Sequence, residues 1–223
     1  MDWQALWLSL SLAAWTVAIL LPVSVLAGRL LATRAFLGKG LVEGLVMLPL
    51  VLPPTVFGFY LLVALGRNSP VGTIWQDLFG HQLVFTFEGL IVASVIFNLP
   101  FAIQPAQRAF EAIPNGLREA AAASGLSPLR TLWRIELPLA WPGVVTAMVL
   151  TFAHTLGEFG IVLMVGGSIP GETRTIAIAI YDRVQAFDME AAATMSAVLV
   201  AISLFTIAAT FALSSRVGRR PWQ

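Results

Sequence analysis

Thr151, His154, Thr155 and Glu158 recur at three- and four-residue steps within an apolar stretch, so a helix would present all four on one side. Hydroxyls and a carboxylate so placed suit a polar path or gate rather than covalent catalysis. An ionisable group at membrane depth normally faces the protein interior and has a partner. Glu158 comes about 20 residues after its apolar segment begins, which puts it near the outer surface at 1.5 Å per residue. There it is either solvated or paired with Arg174, as a gate residue or a structural one. His154 has no second histidine or cysteine nearby and reads as a hydrogen-bonded interior histidine, not a metal ligand.

Other chemistries are missing. The chain has no cysteine and 2 histidines, which excludes thiolate metal sites, disulfides and a cysteine nucleophile. It has no phosphate loop, because Gly38-Lys39-Gly40 lacks the upstream glycine and the following Ser or Thr. No H-E-x-x-H pair or G-x-S-x-G elbow occurs either. No residue is assigned a catalytic, metal or cofactor role.

The elements that must position these residues are membrane spans. Of 223 residues 58% are apolar and only 11% charged, with a mean hydropathy of +0.85. Five segments lack Asp, Glu, Lys and Arg for about the 20 residues a bilayer requires: 3–28, 44–66, 89–107, 137–157 and 191–215. They predict spans near 5–30, 42–66, 88–108, 138–162 and 191–214. The first is read as a retained span, since no Lys or Arg precedes Arg29.

Basic residues collect in the connections after the first and third spans (Arg29, Arg34, Lys39; Arg108, Arg118, Arg130, Arg134) and in the tail (Arg216, Arg219, Arg220). The other connections carry only Arg67, Arg174 and Arg183. With five spans this predicts the N-terminus outside and the C-terminus inside. The basic residues fit membrane topology and give no support for nucleic-acid binding.

Pro53-Pro54 falls near the middle of the second span, and Pro100 and Pro105 are expected to interrupt the third. Broken helices can mark substrate paths, so Pro53, Pro54, Thr151, Thr155 and Glu158 are the path or gate candidates. Gly166-Gly167 and Pro170-Gly171 are breakers. A structured outer loop that partly re-enters the membrane is expected there, with a short helix over 177–184. Whether 159–171 re-enters or forms a sixth span stays open.

The longest charge-bearing connection leads into the fourth span. Asn115 can N-cap a short alanine-rich helix, Gly125 can end it, and Ser127-Pro128 can start a second short helix. Arg130 and Arg134 would share one side of that second helix. An alanine face buries little by itself, so it either docks into another protein or merely joins two spans.

The spacing Glu119-Ala120-Ala121, three residues, Gly125, nine residues, Ile135, one residue, Leu137-Pro138 resembles the EAA motif. That motif marks the membrane subunits of prokaryotic ABC importers. Leu156-Gly157-Glu158-Phe159-Gly160, Ser168-Ile169-Pro170-Gly171 and Thr173-Arg174-Thr175 are similar to the molybdate permeases, and sulfate permeases share part of the pattern.

The resemblance implies an all-α integral membrane protein, a single type I ABC importer transmembrane domain over 1–223. It implies about five spans and a cytoplasmic coupling region over 114–136, with Glu119, Ala120, Ala121, Ser124, Gly125, Leu126, Ile135 and Pro138 meeting an ATPase. It further implies molybdate import across the bacterial cytoplasmic membrane, with sulfate or tungstate as the alternative oxyanions. The partners would be a second copy of the chain, two cytoplasmic ATP-binding subunits that hold ATP and Mg, and an extracytoplasmic binding protein. A secondary anion transporter would want a charged mid-membrane site and an internal repeat, and neither is evident.

Overall fold

The computed structural model describes residues 1–217; Arg219 and Arg220 of the basic tail lie outside them. The described residues form helices only. Helix α1 (Trp3–Thr33) is capped by the Asp2 carboxylate, which accepts from Ala5 N–H at 2.9 Å. It is followed by α2 (Lys39–Val51), α3 (Pro54–Leu65), α4 (Pro70–Phe79) and α5 (Phe87–Glu111). Next come α6 (Asn115–Ala123), α7 (Pro128–Thr131), a π-turn (Leu132–Glu136) and α8 (Leu137–Gly157). Helices α9 (Gly160–Gly166), α10 (Ile176–Gln185) and α11 (Met189–Val217) complete the chain.

Among the described residues four stretches are long and apolar enough to cross a bilayer: α1, α5, the continuous helix Pro128–Gly157, and α11 over Met189–Ala208. Helices α2 and α3 qualify together but turn by 114° at Leu52-Pro53. Pro53 has extended backbone, and Pro54 opens α3 at the position where a missing N–H costs nothing. This bent pair still runs end to end. Glu43 near its start accepts from Gln107 in the last turns of α5, whereas Leu61 and Leu65 near its finish pack with Leu83 and Val84, just before α5 begins. Running from one end of α5 to the other, it makes one broken span, so the described residues make five passes.

Packing gives the directions. Leu8 and Leu12 meet Leu90, Thr16 meets Ser94, and Val25 meets Ala106 and Phe110, so α1 and α5 run parallel. Val144 joins that last cluster while His154 reaches Asn98, so α8 runs the other way. Met195 near the start of α11 shares a cluster with Ala5 and Leu6 near the start of α1, with Ile176 and Ala179 of α10 in the same cluster, so α11 begins at the end of the bundle where α1 begins. Small residues allow the close approaches: a Cβ on Gly143 would stand 2.4 Å from that of Ala109, and one on Gly28 would meet the backbone at Gln107.

Two expectations change. Pro100 and Pro105 do not interrupt the third span, because α5 continues through both. Each removes one backbone bond, and Pro100 is buried in the packed bundle, where neighbouring helices hold the segment straight enough to continue. The second short helix is not short either, since Pro128 opens a helix that extends to Gly157. The question left open for 159–171 is answered as well: among the described residues no sixth span forms there, because α9 has 7 residues and α10 has 10. Segment 159–171 instead continues outward from α8. Ile161 packs at the level of Phe97, Gly166 lies against Leu90, and Val165 accepts from Phe85 N–H.

Candidate functional site

Helix α6 projects from the end of the bundle where α1 and α5 finish. Its N-cap is Pro114, not Asn115, which is the first helical residue and turns its Oδ1 to accept from Arg118 at 3.1 Å. A side chain already inside the helix cannot serve as its cap. At the other end Leu126 N–H bonds Ala121 C=O and Gly125 N–H bonds Ala122 C=O, with Gly125 at φ +76°. This paired arrangement satisfies carbonyls that would otherwise be orphaned. Ser127 Oγ then accepts from Arg130 N–H and starts the next helix, as its sequence predicts.

The structure exposes Glu119, Ala120, Ser124 and Gly125, while Ala121 is buried and Leu126 and Ile135 are half-buried. Pro138 is exposed on the first turn of α8. Arg130 and Arg134 are both exposed. The exposed side of α6 is therefore mostly small side chains, with Leu117 and the Glu119 carboxylate among them. Such a surface covers itself poorly and fits a complementary cleft.

One residue beside α6 escapes the sequence reading. Glu136 is fully buried, at 0% exposure. Its Oε1 accepts from Arg118 Nε at 2.7 Å, and its Oε2 accepts from Arg29 Nε. Arg118 also donates to the carbonyls of Phe110 (2.7 Å) and Ile113 (3.2 Å) at the end of α5, and Arg29 to that of Pro128. The available signal was compositional: Glu136 is an acid among apolar neighbours on the side of the chain that carries most arginines.

The path candidates divide. Thr151, Thr155 and Glu158 are buried, whereas Pro53 and Pro54 are exposed. Thr155 Oγ1 donates to Thr151 C=O. His154 turns to α5, where its Nδ1 lies 3.0 Å from Asn98 Oδ1 and its ring stacks on Phe101 with centroids 4.0 Å apart. Asn98 donates to Ser94, which accepts from Thr16. A buried polar chain thus links α1, α5 and α8, and His154 is the bonded interior residue that its surroundings in sequence suggested.

Glu158 is neither solvated nor paired with Arg174. Its Oε1 accepts from Ile161 N–H at 3.2 Å and closes the first turn of α9. Arg174 instead pairs with Asp182 at 2.6 Å. The reason is depth: α9 carries the chain onward past Glu158, so the carboxylate ends up inside the helix packing and not at its rim. Beside it, a Cβ on Gly160 would lie 2.8 Å from Pro54 Cβ. The structure therefore brings the Pro53-Pro54 break and the Glu158-Phe159 break into contact, joining two of the predicted path elements.

Residues 21–219 match the family model described as binding-protein-dependent transport system inner membrane component. The chain is 47% identical over 215 residues to the molybdenum transport system permease protein ModB of Azotobacter vinelandii, covering 96% of this chain and 93% of that one. It is 36% identical over 221 residues to the protein of the same name from Haemophilus influenzae, covering 99% and 96%. Its fold matches a chain of a bacterial ABC transporter involved in alginate import with a TM-score of 0.78, at 17% identity, over 96% of this chain and 78% of that one. The five-pass helical bundle, the projecting alanine helix and these likenesses agree: the chain belongs to the family of binding-protein-dependent transport system inner membrane components.

Proposed function

We propose that this chain is the membrane permease of an ATP-driven importer of molybdate. The observation that carries the reading is α6, a projecting helix with an exposed, mostly small-residue face and a glycine-capped end, joined by a short link to a spanning helix. The substrate rests on the high identity to molybdenum permeases along nearly the whole chain.

In this reading two copies form the path, and two cytoplasmic ATP-binding subunits each seat one α6. An extracytoplasmic protein delivers the oxyanion. The α6 end faces the cytoplasm, in keeping with the basic residues gathered there. The chain lies in the bacterial inner membrane with its N-terminus outside. ATP and Mg reside on the partner subunits, and this chain contributes no catalytic residue.

Closure of the ATPase pair displaces α6, and the helices move as rigid bodies between outward- and inward-open arrangements. The driving force is the different affinity of nucleotide for the two states. The path needs only hydroxyls, backbone N–H groups and helix ends, because a transported anion must also leave.

The deciding experiment is ATP hydrolysis by the reconstituted complex with its binding protein, challenged with molybdate, tungstate and sulfate. Stimulation by molybdate at the lowest concentration supports the reading. Preferential stimulation by sulfate or tungstate reassigns the oxyanion, and uptake by this chain alone without ATP overturns the importer class.

A further inference from the structure

We propose that Glu136 is a positioning residue that converts movement of α6 into movement of the bundle; this rests on the reading of α6 as the helix that docks on the ATPase. Covalently, α6 is joined to the bundle by two short links, 112–114 and 124–127, the second containing Gly125 at φ +76°. Of its residues only Ala121 is buried. A push on such a helix would be absorbed by bending at the links unless a side chain bridged them.

Arg118 supplies that bridge. It leaves the middle of α6 and spends its donors on Glu136 Oε1, on the Phe110 and Ile113 carbonyls, and on Asn115. The Phe110 carbonyl lies in the last turn of α5 and the Ile113 carbonyl in the link just past it, where a cation complements the helix dipole. Glu136 then takes Arg29 from the last turns of α1 on its other oxygen. One carboxylate therefore gathers α6, α1 and α8, and Arg118 adds α5.

The π-turn places the acid. Leu137 N–H bonds Leu132 C=O, five residues back, so the helix carries one extra residue per turn there. Leu132 and Glu136 are both buried by this arrangement. Such insertions are local irregularities often found at functional positions. A fully buried carboxylate between two guanidinium groups is a poor route to stability, because desolvation offsets the attraction. What it does provide is a fixed, directional joint, with two charge-assisted bonds of defined geometry.

The test uses the complete complex in proteoliposomes, with binding protein and molybdate, and measures uptake and ATP hydrolysis together. Glu136→Gln keeps the shape and removes the charge. It is expected to insert, to retain its ATPase subunits and to hydrolyse ATP, while uptake per ATP falls by about tenfold or more. Glu136→Asp is expected to recover part of that ratio.

A triple variant, Arg29→Met, Arg118→Met and Glu136→Leu, replaces the charges by apolar packing and is expected to fold at least as well. It is also expected to remain uncoupled. An unchanged ratio of uptake to hydrolysis in either the Gln or the triple variant overturns the proposal. Glu119→Lys, run in parallel, tests the docking reading itself. If it leaves ATPase association and uptake intact, the docking surface is wrong whatever Glu136 does.

Discussion

Gly160 and Pro54 stand so close that a Cβ at Gly160 would be 2.8 Å from the proline Cβ and 3.3 Å from its carbonyl carbon. The contact joins the start of α9 to the break between α2 and α3, and it depends on the absence of a side chain. Gly160→Ala should therefore destabilise the protein, and Gly160→Val more so, by about 1–3 kcal/mol as an overpacked site. Gly157, near the end of α8, has nothing within 4 Å of a built Cβ. Gly157→Ala should leave melting in detergent unchanged or slightly raised, and equal melting of the two alanine variants would refute the close-contact argument.

Gly125 separates two effects. Its φ of +76° is unfavourable for most side chains, but nothing lies within 4 Å of its built Cβ. Within the isolated chain Gly125→Ala should cost about 1–2 kcal/mol, from backbone strain alone. Gly125→Asn tolerates that conformation better and should melt near the native temperature. If a partner approaches closely there, both Gly125→Asn and Gly125→Asp should insert normally and lose uptake. Full molybdate uptake by Gly125→Asp would remove this glycine from the docking surface.

The exposed Glu119 carboxylate has no side-chain partner among the described residues. Glu119→Lys should leave thermal stability unchanged to within about 0.5 kcal/mol, as surface substitutions usually do. Association with the ATPase subunits should nevertheless fall, as read by co-purification in mild detergent.

The buried chain Thr16–Ser94–Asn98–His154 holds three helices by polar contacts. Asn98→Leu removes the central member and leaves the His154 Nδ1 without its bond. A loss of about 1–3 kcal/mol is expected for an unsatisfied buried group. The check is thermal melting of Asn98→Leu against Asn98→Leu/His154→Phe. The double variant should be less destabilised than the sum of the single variants, because the second change removes the orphaned group.

Glu158 distinguishes a cap from a charged gate. Glu158→Gln keeps an acceptor for Ile161 N–H, so melting should stay near native, whereas Glu158→Ala should lose about 1 kcal/mol or more. Loss of uptake in a stable Gln variant would assign the charge itself a role in transport.

Much of the fold was legible because its signals are local. Apolar runs set the five passes, the proline pair set the break between α2 and α3, and Ser127-Pro128 and Gly125 set the bend beside α6. Each acts through groups no more than about four residues apart. The alanine face and its motif were legible for the same reason. Asn115 is the first helical residue and not the cap because the chain leaves α5 through Pro114, which stands at the cap position with no side-chain bond.

What sequence by itself determined, then, was a multi-pass helical chain with a projecting alanine helix on its basic side. Tertiary structure alone decided that Pro100 and Pro105 sit within an unbroken α5, and that Glu158 is buried as a cap for α9. It also decided that Arg29 and Glu136, 107 residues apart, meet in one buried cluster with Arg118. The physical reason is that caps and breakers are resolved within a turn or two of backbone. Burial depth and ion pairing depend on which helices pack side by side, and no single stretch of the chain carries that information.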